Sequence, residues 1–353
     1  MGKIKIVKPG LLTLVQDSGR HGYQQFGVPV SGVMDSLSYR LGNLLVGNPQ
    51  THAGLEVTIL GPEIEFLDQM VIAVTGGDLS PAVNKTAIPM WESVIVQKGD
   101  TLAFGVLKTG CRSYIAFLGG IDVPLIMGSR STYTRGNIGG YKGRALRAGD
   151  VLEVAVPDYS PAKRRNKKVS KEYIPKYSGG IELRVTMGPQ DDCFTPEGIK
   201  TFLSGLYTVT NQCDRMGYRL DGEKIRHLNG GDIISDGIAM GAVQVPGHGQ
   251  PIIMLADRQT TGGYTKIANV VSADLPKIAQ AKPGDKVRFT RVTAHQAGQL
   301  LREMENKISD IKKRCQAADR PENGGRFTRI VSTRFLKLKI DGRDFDVKVE
   351  EIG

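Results

Sequence analysis

Short apolar runs separated by Gly, Pro and Asp dominate the first 157 residues of the chain. Runs such as "KIKIVKPG", "LEVTIL", "EIEFL" and "MVIAVTGG" are rich in β-branched residues, and several alternate apolar with polar positions. Such alternation is typical of strands with one face in water. One helix interrupts them, with Asp35 placed to cap it, Leu41 and Leu45 on its apolar stripe, and Gly47 to end it. We predict a β-barrel domain over residues 1–157.

The rest of the chain divides into a linker, a second β domain and a C-terminal segment. Residues 158–180 are polar and basic without an apolar period, which predicts a linker. Residues 181–293 return to short strands such as "IELRVTMG", "GAVQVPG" and "PIIMLAD", which predict a second barrel. Residues 294–353 begin with an amphipathic helix and end in two alternating strands around Asp341–Gly342, a strong hairpin signal. The predicted fold class is mainly β, with two barrels, a few short helices, and a C-terminal helix plus hairpin.

The formal net charge of +11 raises the question of nucleic-acid binding. Much of the excess comes from a basic run between residues 162 and 176, in which aromatic residues are nearly absent. A basic run inside a linker is usually a solvated segment. We therefore predict no nucleic-acid partner.

The positions of the cysteines and the hydropathy of the chain indicate its cellular compartment. The four cysteines are far apart and form no C-x-x-C motif, so neither a zinc site nor a disulfide framework is predicted. Scattered thiols fit a reducing cytoplasm. The first residues, "MGKIKIVKPG", lack the apolar core of a signal peptide, and no apolar run reaches the length of a membrane span. We predict a cytoplasmic protein that makes no membrane contact.

Several motifs that would fix a reaction class are missing from the sequence. There is no P-loop, no H-E-x-x-H and no G-x-S-x-G, and the histidines lack metal-ligand spacing, so no metal site is predicted. There is also no Met-Lys-Met tract, the usual site of biotin attachment. We predict no covalent biotin on this chain.

Polar clusters recur where predicted strands end. Among them are "QDSGRHGY" at 16–23, "GSRST" at 128–132, "CDRMGYRL" at 213–220 and "DRQTTGGY" at 257–264. Arg offers a planar fork for carboxylate or phosphate, Asp accepts protons or orients the Arg, and Gly lets backbone N–H groups approach an anion. One such cluster alone is usually a turn with a local salt bridge. Their recurrence predicts a site for an anionic small molecule.

These clusters, together with "GVPVSGVMD" and "GAVQVP", occur in the order of one family. From about Lys8 to Phe289 the chain resembles the biotin-dependent carboxyltransferase-like family, which is also called allophanate hydrolase subunit 2 or KipA and includes the C component of 5-oxoprolinase. Three positions depart from the usual pattern: Cys213 replaces a common Ser, Asp236 a common Glu, and Thr265 a common Pro. Of these, Asp236 could bear directly on a site.

The resemblance implies cyclophilin-like barrels and a hetero-complex with two partners, a KipI-like protein and a LamB/YcsF-like protein. It implies an ATP-dependent 5-oxoprolinase, which opens 5-oxoproline to L-glutamate, and an isolated chain that is inactive. Two alternatives stay open. The chain could be the carboxyltransferase component of a biotin-dependent urea or amide carboxylase, or a non-enzymatic regulator that binds a KipI-like kinase inhibitor.

Opening a lactam requires coupling to ATP, because an amide carbon is poorly electrophilic. The site would then need an Arg for the substrate carboxylate, donors for a phosphoryl group and an acid for Mg²⁺. Without a P-loop, ATP with Mg²⁺ is expected to bind mainly on a partner or in a pocket shared with it. The candidate residues are Asp17, Arg20, Asp35, Arg130, Asp214, Arg215 and Asp257 for catalysis, and Tyr218, Gln259, Thr260 and Thr261 for substrate binding.

Overall fold

A computed structural model describes residues 1–155, 167–177, 180–317, 330–340 and 343–352. The chain forms two compact units, Met1–Gln316 and Ala317–Gly353. The described residues in the first part of the larger unit contain one α-helix, α1, and twelve strands. They are α1 Ser36–Val46 and β1 Gly2–Lys8, β2 Leu12–Gln16, β3 Gly54–Thr58, β4 Glu63–Phe66, β5 Met70–Asp78, β6 Pro81–Val83, β7 Thr86–Ala87, β8 Ser93–Val96, β9 Thr101–Phe104, β10 Thr109–Phe117, β11 Ile121–Asp122 and β12 Val151–Val154.

The second part of the larger unit, and the smaller unit, follow in chain order. The helices are α2 Pro196–Ser204, α3 Leu275–Ala279 and α4 Ala294–Ala317, and the strands are β13 Gly180–Met187, β14 Tyr207–Cys213, β15 Gly217–Asp221, β16 Asp232–Gly237, β17 Ala242–Gln244, β18 Ile252–Met254, β19 Thr261–Tyr264, β20 Lys266–Val270, β21 Lys286–Arg291, β22 Ile330–Ile340 and β23 Arg343–Ile352. The mainly β prediction is confirmed. No helix within the described ranges is long and apolar enough to span a bilayer.

The first half, residues 1–155, consists of two sheets that face one core. One sheet has the order β11-β12-β1-β4-β9-β6-β7 and the other β2-β3-β10-β5-β8. Ile4 and Phe66 of the first sheet pack with Leu55, Ile72 and Phe117 of the second. These strands are therefore hydrogen-bonded as two sheets rather than as the single closed ring that a barrel prediction implies.

Helix α1 covers the outer face of the five-stranded sheet, where Leu41 and Leu45 pack on Val71 and Ala116. Both faces of β5 and β10 are buried as a result, which is why their sequences do not alternate. The predicted cap is confirmed, because the Asp35 side chain accepts a hydrogen bond from the Ser38 N–H at 2.9 Å.

The second half forms a closed barrel in the order β13-β20-β17-β18-β15-β14-β21, which confirms the second predicted barrel. Its interior is filled by side chains such as Val243, Ile253 and Phe289. Strands β16 and β19 form a separate two-stranded ribbon outside the barrel ring. A barrel packed this way leaves ligand sites to its outer face and rim.

Part of the predicted linker lies outside the described residues, including Lys163, Arg164 and Arg165 of the basic run. The described residues 167–177 contact the first half. Val169 is buried against Trp91, and its N–H donates to the Trp91 carbonyl at 2.9 Å. Strands β22 and β23 pair as an antiparallel hairpin, while the predicted turn Asp341–Gly342 lies outside the described residues.

Gln280, just after α3, joins the two halves. Its Oε1 accepts hydrogen bonds from the backbone N–H groups of Cys111 at 3.0 Å and Arg112 at 2.9 Å. Its Nε2 donates to Asp35 Oδ2 at 2.8 Å and to the Arg112 carbonyl at 2.9 Å. Gln280 is only 3% exposed, so water cannot readily take over its hydrogen bonds to these partners.

We expect Gln280→Ala to lower the free energy of unfolding by about 2–4 kcal/mol, because several buried polar groups lose their partner together. Gln69→Ala, the same change at an exposed residue, is the control and should shift it by less than about 0.5 kcal/mol. Urea unfolding of both variants measures the difference, and equal losses would show that Gln280 does not hold the interface.

Candidate active site

A pocket of about 500 Å³ lies on the outer face of the barrel. Gln244, Ile252 and Met254 form its floor, and they alternate with the interior residues Val243 and Ile253 along β17 and β18. The ribbon and the turn after β18 contribute Tyr264 and Gln259, the β14–β15 hairpin contributes Asp214 and Arg219, and the first half contributes Arg135.

A bulge in β14 shapes one wall of the pocket. Val209 pairs with Leu220 and Cys213 with Tyr218, so residues 210–212 stand opposite Arg219. Bulges of this kind redirect side chains and are common beside active sites. Arg219 and residues 211–212 also line a second cavity of about 480 Å³, so the two cavities share one wall.

Two glutamine side chains in this pocket have atoms without hydrogen-bond partners. Neither Gln244 Nε2 nor Gln259 Oε1 has one among the described residues, although both atoms are buried. The two amides flank Gly262, where a Cβ would lie 2.9 Å from Gln244 Nε2 and 3.4 Å from Gln259 Nε2. Unpaired buried donors and acceptors are rare and call for an explanation such as a ligand.

The charged side chains of the pocket are unequally paired. Arg135 donates to Asp214 Oδ2 at 3.0 Å, which links the first half to the barrel across the pocket. Asp214 Oδ1 accepts from the Met216 N–H at 2.7 Å and so stabilises its own turn. Within the described ranges, no carboxylate lies at ion-pair distance from Arg219, which is exposed.

A buried ionic cluster lies behind the pocket. Arg215 donates to both carboxylate oxygens of Asp257, at 2.9 and 3.1 Å, to the Gly32 carbonyl at 2.5 Å, and to Glu56 Oε1. Burial lowers the pKa of Arg215, but the charges of Asp257 and Glu56 outweigh it and hold the pKa above its ordinary value. The guanidinium is thus engaged by protein groups, and it fixes the two turns that carry Asp214 and Gln259.

The cluster continues into the first half. Glu56 Oε2 accepts from the Met34 N–H at 2.8 Å and from the Tyr114 hydroxyl at 2.9 Å, and that hydroxyl accepts from the Asp35 N–H at 2.8 Å. Burial raises the pKa of Asp35, against the hydrogen bonds from Ser38 and other neighbours. Asp35 lies at the helix cap and does not line the pocket.

The remaining candidates of the first half form a loop network. The Asp17 carboxylate accepts from the Gly19 N–H at 2.9 Å, the Arg130 N–H at 2.6 Å, and the hydroxyls of Ser129 and Ser131. Arg20 donates to the Ser131 carbonyl at 2.9 Å, and burial lowers its pKa. The Arg130 guanidinium points to the Val123 carbonyl and to Asp122 instead. Asp17, Arg20 and Arg130 do not line the pocket.

The predicted substrate-binding residues divide in the same way. Gln259 lines the pocket, whereas the Tyr218 hydroxyl lies between Arg112 Nη1 and the Ala281 carbonyl. Thr260 accepts from the Ile238 N–H through its carbonyl, and Thr261 pairs with Gly237 in the ribbon. The structure therefore brings Asp214 and Gln259 together in the pocket, with Arg215 and Asp257 behind them. The catalytic and binding roles themselves stay predictions.

Sequence reasoning missed Gln244, Arg135, Arg219 and Lys266. Lys266 is 3% exposed and donates to Asp236 at 2.8 Å, which connects the barrel to the ribbon and lowers the pKa of Asp236. Gln244 carried a usable signal, since it is a polar residue inside the apolar run "GAVQVPG". Arg135 carried none, because its partner Asp214 is remote in sequence.

The described residues contain no group of three His, Cys, Asp or Glu side chains placed to hold a metal ion. In the pocket, the Asp214 carboxylate is already paired with Arg135. These residues do not form a dedicated Mg²⁺ site.

Comparison with known proteins assigns the chain to a protein family. Residues 26–291 match the family described as carboxyltransferase domain, subdomain A and B. The chain belongs to this family. It is 34% identical to the C component of 5-oxoprolinase from Escherichia coli, over 83% of this chain and 93% of that protein. The resemblance predicted from the motifs is confirmed.

Longer proteins of the family are similar over part of their length. The chain is 39% identical to urea amidolyase of Saccharomyces cerevisiae, over 86% of this chain but only 17% of that protein. The crystal structure of Kluyveromyces lactis urea amidolyase superposes with a TM-score of 0.82 at 36% identity, covering 88% of this chain and 20% of that one. The chain thus spans less than a fifth of the urea amidolyases of S. cerevisiae and Lachancea kluyveri.

We expect Arg215→Lys to lower the free energy of unfolding by about 3 kcal/mol, since Lys lacks the planar fork that reaches Asp257, Glu56 and Gly32 together. Arg219→Lys is the matched control at an exposed arginine and should change it by less than about 0.5 kcal/mol. If thermal and urea unfolding of Arg215→Lys match the wild type, the cluster does not hold the two turns.

Asp35→Asn should change the pH dependence of stability. Because the folded state raises the pKa of Asp35, its contribution is full at acid pH and is lost as pH rises through the raised pKa. Asn also caps helices, so the free energy of unfolding of the variant should rise relative to that of the wild type between about pH 4 and pH 7. Urea unfolding across that range measures the difference in free energy of unfolding between variant and wild type. A difference that stays constant, or that shifts in favour of the wild type as pH rises, would contradict the expectation.

Proposed function

We propose that the chain is a subunit of an ATP-dependent 5-oxoprolinase, which opens 5-oxoproline to L-glutamate together with a KipI-like partner and a LamB/YcsF-like partner. The C components of 5-oxoprolinase from E. coli and Haemophilus influenzae match this chain over 93% and 94% of their own lengths. The match to this kind of protein therefore extends over nearly the whole relative, unlike the match to the urea amidolyases.

The observation that carries the proposal is the unpaired amide pair in the pocket. A lactam presents a carbonyl acceptor and an N–H donor side by side. Gln244 Nε2 and Gln259 Oε1 are a donor and an acceptor without partners among the described residues. Both atoms are buried in the free chain, so a small cyclic amide would pair with them after the two side chains turn into the pocket, whose volume of about 500 Å³ is ordinary for a small-molecule site.

The proposed reaction balances as 5-oxoproline, ATP and two water molecules going to L-glutamate, ADP and phosphate. The terminal phosphoryl group of ATP passes to the lactam oxygen and ADP leaves. A first water adds to the same carbon, and the carbon–nitrogen bond breaks with a proton going to nitrogen, which leaves an acyl phosphate. A second water then hydrolyses the acyl phosphate to the carboxylate and phosphate. On this chain, the Gln244 amide would donate to the lactam oxygen and Gln259 would hold the ring N–H, which fixes the orientation of the reacting amide.

Carboxyl transfer to urea or a related amide is the second candidate. The family description and the 39% identity to S. cerevisiae urea amidolyase favour it. Urea also offers a carbonyl beside an N–H, so the two glutamines would suit it as well. The charge of the substrate distinguishes the two candidates.

The test is 5-oxoproline-dependent release of ADP by the chain co-purified with its two partners. We expect turnover by the assembled complex and none by the isolated chain. Gln244→Met, which keeps the length of the side chain but removes its donor, should lower kcat/KM by about 10- to 100-fold. The free energy of unfolding should stay the same or rise, because the variant removes an unpaired buried amide.

Gln69→Met is the control for the same replacement at an exposed position. A complex with Gln244→Met that retains full kcat/KM would remove the amide pair from the site. Robust 5-oxoproline-dependent ATP hydrolysis by the isolated chain, or no turnover by the assembled wild-type complex, would overturn the proposed function.

A further inference from the structure

We infer that Arg219 determines substrate specificity by binding the carboxylate of an anionic amide, so that the pocket selects 5-oxoproline over a neutral amide such as urea. The inference rests on the proposed function, because it names the substrate class of the same pocket. It concerns a residue outside the set that the sequence singled out as catalytic or substrate-binding.

The charges of the pocket leave one cation without an anion. Arg135 and Asp214 neutralise each other at 3.0 Å, and Lys266, next to the pocket floor, is paired with Asp236 at 2.8 Å. Arg219 has no such partner among the described residues, even though Asp221 follows two positions later on the same strand face. The side chains that line the pocket therefore sum to one positive charge, which favours a ligand with one negative charge.

The backbone holds Arg219 in a position to act on a ligand. Its carbonyl accepts a hydrogen bond from the Thr210 hydroxyl at 3.0 Å, across the bulge of β14. It lines the same pocket as Gln244 and Gln259, and it lines the second cavity as well. A ligand in this pocket would therefore have Arg219 and the two glutamines among the residues around it.

Guanidinium chemistry suits this role. Arg binds a carboxylate through two parallel N–H donors, and such charge-assisted hydrogen bonds are stronger than neutral ones. A neutral amide would leave Arg219 with water as its partner. The arginine would therefore contribute to binding of 5-oxoproline and contribute little to binding of urea or an uncharged lactam.

The test compares 5-oxoproline with its uncharged carboxamide, which keeps the lactam ring. With the assembled complex, we expect the wild type to prefer 5-oxoproline. Arg219→Met should lower kcat/KM for 5-oxoproline by about 10- to 100-fold and change kcat/KM for the carboxamide by less than about twofold. Arg288→Met, an exposed arginine on β21 of the same barrel, is the matched control and should change neither value.

The outcomes separate the two proposals. An equal loss for both compounds, or an unchanged preference in Arg219→Met, would overturn the role of Arg219 and leave the 5-oxoprolinase proposal standing. If the wild-type complex turned over neither compound, the proposed function would fail. Calorimetric titration of the chain with the two compounds then decides the role of Arg219. Tighter binding of the anion by the wild type, lost in Arg219→Met, supports that role, and no preference overturns it.

Discussion

The guanidinium of Arg215, buried between Asp257 and Glu56, is the interaction on which the rest of the site depends. It joins four segments: a strand of the first half, the loop before α1, the β14–β15 turn, and the turn that follows β18. Removing a charge from water is costly, and here two carboxylates and the Gly32 carbonyl offset that cost. Because Asp214 and Gln259 lie on the two turns, the pocket keeps its shape only while this cluster is intact.

The two halves of the larger unit therefore act as one structure in forming the site. The barrel contributes the pocket floor, and its interior is filled by apolar side chains such as Val243 and Phe289. The first half contributes Glu56 to the buried cluster and Arg135 to the pocket rim, while Gln280 holds the interface elsewhere. Function is thus located on the outer face of the barrel, where the first half and a two-stranded ribbon enclose it.

Much of the fold could be predicted from the sequence. The buried contacts that form the candidate site could not, because they join residues that are remote in sequence. Strand alternation, the Asp35 cap and the closed barrel follow from local patterns. The polar cluster around Asp214 and Arg215 was visible, but its burial was not, since Glu56 and Gly32 lie 159 and 183 residues away from Arg215. Arg215 looked like a substrate clamp because Arg beside Asp and Gly has the same local sequence in a binding site and in a buried ion cluster.

The function proposed for this chain requires that the pocket between Gln244 and Gln259 bind a small cyclic amide. A crystal structure of the chain with bound 5-oxoproline tests this requirement most directly. We expect the lactam between the two glutamine side chains, with its carboxylate at Arg219. Well-defined 5-oxoproline at another cavity, such as the one beside Trp91 and Tyr177, with the pocket free of it, would contradict the proposed site.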